Sequence, residues 1–134
     1  MTGPIWVAGF GFREAASVES LQDAFAQALS HAGMTAQCVT ALAAPHDKAE
    51  HPAFIDFADI LSVPIYAIDA ADIKATLTPT QSPVSLEKRQ TGSVAEAAAL
   101  GFFKSPATIR VTRQISTDKS ATCAIAEGAQ GETK

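Results

Sequence analysis

The stretch IWVAGFGFREAASVESLQDAFAQALSHAG, residues 5–33, decides how the chain is to be read. Ile5-Trp6-Val7-Ala8 is a short apolar run rich in strand formers, which predicts a buried parallel strand. Gly9-Phe10-Gly11 then reads as a tight turn ending that strand. A helix follows. Ser17 can cap it, and Glu19 in its first turn suits the positive end of the helix dipole. Val18, Leu21, Phe25, Ala28, Leu29 and Ala32 recur at three- and four-residue spacing and make one apolar face. Glu19, Gln22, Asp23 and Gln27 fall on the other. Gly33 is a natural C-terminal stop. Strand, turn and amphipathic helix in this order open a βαβ arrangement, whose sheet is parallel.

The pattern repeats downstream. Gln37–Leu42 predicts a second strand and Pro45–His51 a polar loop. Pro52 starts a helix through Leu61 at the one position where its missing N–H has no partner to lose. Phe54, Phe57, Ala58 and Leu61 form the apolar stripe of that helix. Pro64 leads into a third strand, Ile65–Ile68, and Asp69 can cap a short helix through Lys74. Residues 75–92 read as a long loop with a helical turn at Leu86–Arg89. Ser93 and Glu96 fit a capping box for a helix running to about Leu100. Its alanines are the smallest good helix formers and allow close packing. Alternating residues over 108–115 and 121–126, around Thr117-Asp118-Lys119, predict an antiparallel hairpin. The expectation is a single three-layer α/β domain over residues 1–126. Its sheet is mixed and mostly parallel, with about five strands, one of its edges formed by the C-terminal hairpin. Residues 127–134 are expected to be a frayed tail.

The totals exclude several classes. A net charge of −4 argues against a nucleic-acid binder, because such domains carry a basic excess. No apolar stretch approaches the ~20 residues that span a bilayer, and the first residues lack a basic leader. A cytoplasmic protein without membrane attachment is expected. Cys38 and Cys123 read as buried free thiols, which suits a reducing compartment. His46, Asp47, Glu50 and His51 crowd one loop, but their spacing matches no metal motif. Gly9-Phe10-Gly11 lacks the third glycine of a dinucleotide fingerprint, since residue 14 is Glu. Neither a metal nor a cofactor is therefore expected. No nucleophile is supported by a motif, so the catalytic residues stay unknown.

What the chain does offer is a set of anion-binding groups. In open α/β sheets, ligands bind beyond the carboxyl ends of the strands. Gly9, Phe10, Gly11, Phe12 and Arg13 fall at one such end and Lys48 at another. Thr91, Gly92, Ser93 and Glu96 surround a helix start, where backbone N–H groups attract negative charge. Phe10 and Phe12 can supply an apolar floor.

GFGFR, the DKAEHPAF segment and above all TGSVAEAAAL resemble the CobE family of cobalamin-biosynthesis proteins and the C-terminal domain of CbiG. Lys48 and His51 occupy places comparable to those of a lysine-containing element in that family. Ala124-Ile125-Ala126 matches its closing strand. The resemblance extends to about residue 126. Phe12 stands where the family often has Cys, and the N-terminal region of CbiG has no counterpart here. The resemblance implies a role in corrin-ring construction, with a polycarboxylate precorrin or corrinoid intermediate as ligand and other enzymes of the pathway as further partners. Two classes of function follow. One is a carrier or accessory protein that holds the intermediate. The other is an enzyme acting on it by lactone hydrolysis or rearrangement, as full-length CbiG is understood to do.

Overall fold

The strand that begins near Ile5 is longer than expected and runs through the centre of the molecule. In a computed structural model of the chain, which describes residues 4–75, 93–103 and 107–129, this strand is β1, Pro4–Phe12. On one side lie β2 (Val39–Pro45) and then β3 (Ile65–Ile68). On the other lie β5 (Ala121–Ala129) and then β4 (Thr108–Ile115). The five strands form one sheet in the order β3-β2-β1-β5-β4. β1, β2 and β3 are parallel, whereas β5 is antiparallel to both β1 and β4. The mixed sheet and its C-terminal hairpin therefore match the reading of the sequence.

Helices cover both faces. α1 (Val18–Ala32) and α2 (Pro52–Leu61) lie on one; α3 (Ala70–Ala75) and α4 (Val94–Gly101) lie on the other. Alternation along β1 divides the core between them. Ala8 and Phe10 join Leu21, Phe25, Phe54 and Phe57, while Val7 joins Ala97, Ala98 and Phe102. The ring centroid of Phe10 is 5.4 Å from that of Phe54 and 5.5 Å from that of Phe57, both near edge-on, the arrangement that aromatic quadrupoles favour.

The helix ends follow their local chemistry. Ser17 caps α1 reciprocally with Ser20, each side chain bonded to the other's backbone N–H. Gly33 ends α1 with φ 68°, a left-handed conformation that glycine adopts without steric cost. Pro52 opens α2 as expected.

Three expectations need correction. Gly9-Phe10-Gly11 is not a turn; all three residues belong to β1. Gly9 is glycine because α4 crosses directly above it. A Cβ there would lie 2.1 Å from the Ala95 carbonyl oxygen and 2.4 Å from the Ala99 nitrogen. The second strand is shifted toward the C-terminus: residues 36–38 form a 3₁₀ turn, and Ala43–Pro45 are strand. Cys38 is consequently exposed, whereas Cys123 is buried and its thiol is pushed up by desolvation. Finally, β5 continues past Ala126 to Ala129, with Glu127 opposite Trp6 and ion-paired to Arg110 at 3.1 Å. The helical turn expected at residues 86–89 lies outside the described residues.

The β4–β5 turn is tied to α1 by carboxylates. Asp118 accepts hydrogen bonds from the hydroxyls of Ser116 (2.6 Å), Ser20 (2.6 Å) and Ser120 (2.8 Å). The Ser116 hydroxyl, followed by those of Ser20 and Ser120, holds its carboxyl well below the usual carboxylate range. Asp23 is lowered by the Thr117 N–H, which it accepts at 2.6 Å. A depressed folded-state pKa stabilises above the unfolded value, and that contribution is lost as pH falls through the folded one. Stability should therefore fall below about pH 4. Asp118→Asn should flatten that acid limb in denaturation curves recorded at successive pH values.

Candidate functional site

The carboxyl ends of β1, β2 and β3 define one edge of the sheet, at Phe12, Pro45 and Ile68. Because β5 is antiparallel to β1, the β4–β5 turn reaches the same edge: Phe12 lies opposite Ala121, and the Arg13 N–H donates to the Ser120 carbonyl at 2.8 Å. α4 also begins here. A Cβ on Gly11 would meet Val94 at 3.2 Å and the Thr122 hydroxyl at 3.1 Å. The edge therefore gathers the segment after β1, the segment after β2, the hairpin turn and the first turn of α4.

The residues singled out from sequence separate into interior and edge. Gly9 is sealed beneath α4, and its close packing accounts for the glycine without a ligand. Phe10 is fully buried in the aromatic core and cannot floor a pocket at the surface. Ser93 is 1% exposed, and its Oγ accepts from the Glu96 N–H at 3.4 Å, as expected of an N-cap. Glu96 is fully buried, and its carboxylate accepts the Arg113 N–H of β4 at 2.9 Å. That N–H lies where β4 carries an extra residue against β5, between Val111 and Gln114. A bulge interrupts ladder pairing, and a buried N–H needs a partner. Glu96 thus anchors α4 to the irregular edge strand. Thr91 and Gly92 lie outside the described residues.

Gly11, Phe12, Arg13 and Lys48 remain at the edge. Phe12 is partly buried and packs its ring 5.3 Å from that of Phe54. Lys48 places Nζ 5.7 Å from the Phe12 ring centroid and 3.4 Å from Glu14 Oε1. Glu14 is 85% exposed, so this ion pair is solvent-screened. Arg13 is exposed, and among the described residues no hydrogen bond or ion pair holds its guanidinium. The edge therefore pairs one uncommitted guanidinium with a lysine and a half-covered aromatic ring. Such a surface suits a ligand with carboxylates around an apolar body.

Residues 6–126 match the family model described as Cobalamin synthesis G C-terminus. The chain belongs to this family. Among solved structures, CobE, a protein from the cobalamin (vitamin B12) biosynthetic pathway, superposes with a TM-score of 0.82 at 26% identity, covering 93% of this chain and 91% of that one. The cobalamin biosynthesis protein chiG from Agrobacterium tumefaciens str. C58 does so with a TM-score of 0.69 at 27% identity, covering 91% of this chain and 97% of that one. A search of curated proteins found no match. Membership of the family ties the chain to cobalamin biosynthesis.

Within this member of the CbiG C-terminal family, one residue at the edge was not assigned a site role from the sequence. His51, read as part of a polar loop, is the N-cap of α2 and bonds across to the segment after β1. Its place immediately before Pro52 is a cap signal, but the usual cap residues are Ser, Thr, Asp and Asn. Among the described residues, no group of three or more metal-ligating side chains is gathered. No helix among them is long and apolar enough to cross a membrane.

Ser93→Ala should cost about 0.5–2 kcal/mol of stability. Because Ser93 is buried in its capping role, ligand affinity per folded molecule should stay unchanged. Denaturant unfolding and a binding titration on the same preparation separate the two effects.

Proposed function

We propose that the chain binds a polycarboxylate corrinoid intermediate at the carboxyl edge of its parallel strands and holds it without transforming it. The observation that carries the reading is the guanidinium of Arg13, exposed and without a partner among the described residues, beside Phe12 and Lys48. Early corrin intermediates carry acetate and propionate groups around an apolar macrocycle. Arg13 can take one carboxylate through two parallel N–H···O bonds. Lys48 can take a second by turning from Glu14, since a screened surface pair costs at most about 1 kcal/mol to break. The macrocycle then rests toward Phe12, with the Gly11 backbone beside it. Family membership supports the ligand class, and the lack of a motif for a nucleophile favours holding over conversion.

Absorbance titration with cobyrinic acid, a corrinoid whose carboxylates are not amidated, tests this reading when followed by mass analysis of the recovered ligand. A shifted spectrum with unchanged mass is expected. A change in ligand mass would make the protein an enzyme, and an unshifted spectrum with no binding would remove the site.

A further inference from the structure

We infer that His51 is the positioning residue for the segment carrying Arg13, and that it holds this segment only in its neutral, Nε2-protonated form. The inference rests on the reading that Arg13 meets the ligand. Both ring nitrogens of His51 are engaged in different elements. Nδ1 accepts the Ala53 N–H at 3.2 Å and caps α2. Nε2 lies 2.7 Å from the Glu14 carbonyl oxygen. A nitrogen that accepts an N–H carries no proton, so the ring proton sits on Nε2 and donates to Glu14. The imidazole therefore bridges the start of α2 and the backbone one residue beyond Arg13. The Phe12 ring fixes its plane, 5.2 Å away and at 84°. Among the described residues, the segment is also held by the Arg13 N–H to the Ser120 carbonyl at 2.8 Å, the Ala16 N–H to the Arg13 carbonyl at 3.0 Å and the exposed Lys48–Glu14 ion pair.

Protonation removes the acceptor. An imidazolium has N–H donors on both nitrogens, so Nδ1–H would face the Ala53 N–H at the positive end of α2. The cap fails, the ring must turn, and the bond to the Glu14 carbonyl goes with it. The charged groups facing His51 can be named. The Glu14 carboxylate, from the segment after β1, is 3.6 Å from Nε2. That carboxylate is mostly exposed and shared with Lys48 of the loop after β2. Phe12 brings no charge from β1, and the first turn of α2 has no acidic residue.

The test is an NMR titration of the full chain from pH 8 to pH 5.5, a range in which histidine side chains ordinarily change charge. At pH 8 the His51 ring should show the Nε2–H tautomer. On acidification, the amides of Ala53 and of Arg13–Ala16 should move in step with the His51 ring, and affinity for cobyrinic acid should fall on the order of tenfold. His51→Asn keeps a good N-cap but lacks the Nε2 donor. Its affinity should be low already at pH 8, and its Arg13–Ala16 amides should not follow a titration. Segment amides that ignore the His51 ring, or a His51→Asn variant that titrates like the wild type, would overturn the inference. Should that variant fail to fold, the wild-type titration decides alone. Amides that follow the ring in a protein that binds no cobyrinic acid at any pH would support the His51 bridge and overturn the corrinoid reading instead.

Discussion

Gly9→Ala is expected to lose roughly 3 kcal/mol of stability or more, a large effect for one methyl group. The reason is where that methyl must go. It would lie 2.1 Å from a backbone oxygen and 2.4 Å from a backbone nitrogen of α4, so no side-chain rotation can relieve the overlap. The helix must lift from β1, and it carries Ala97, Ala98, Ala99 and Glu96 with it, all fully buried. Gly11→Ala provides the contrast. Its added methyl meets Val94 and Thr122 side-chain atoms at 3.1–3.2 Å, which can give by a few tenths of an ångström. A loss of about 1 kcal/mol or less is expected there. Urea midpoints of the two variants check the difference. Equal midpoints would mean that α4 does not lie on β1 as described.

Arg13→Ala should weaken cobyrinic acid binding by about 10- to 150-fold, the loss expected for one charge-assisted hydrogen-bonded contact of roughly 1.5–3 kcal/mol. Arg13→Lys should fall between, because an ammonium cannot reproduce the two parallel donors of a guanidinium. Stability should barely change in either variant, since the side chain is exposed and bonded to nothing among the described residues. Rising salt should weaken the wild type more than the alanine variant, which has one ionic contact fewer. If Arg13 served only the surface, all three proteins would titrate alike at every salt concentration.

Much of this architecture was legible from residue patterns, because local signals and tertiary packing agree. The predicted bounds of α2 and β3 coincide with those observed, and Ser17, Gly33 and Ser93 cap the helices they were expected to cap. Gly9 and Gly11 were misread for a physical reason. A glycine in an apolar run signals a turn unless something packs against it, and here that something is a helix some 85 residues further along the chain. Once β1 is read through to Phe12, alternation alone puts Phe10 and Phe12 on the α1/α2 face and Gly9 and Gly11 on the α4 face. The shift in β2 has a related cause. Ala43 and Ala44 are weak strand formers, yet they pair between β1 and β3 and are fully buried there, so tertiary packing overrides their propensity. Glu96 was read as one half of a capping box, but its bond to Arg113 depends on a bulge in β4 that leaves no mark on the helix sequence. His51 was missed because one imidazole joins two segments that local spacing does not relate.

Corrinoid binding at Arg13 is tested most directly by a side-by-side absorbance titration of wild type and Arg13→Ala with cobyrinic acid at low and high salt, each recovered ligand being weighed by mass spectrometry. A spectral shift and unchanged ligand mass are expected for the wild type, with affinity about 10- to 150-fold lower for the variant at low salt and a smaller gap between the two at high salt. Identical titrations for the two proteins, or no binding by the wild type, would contradict it.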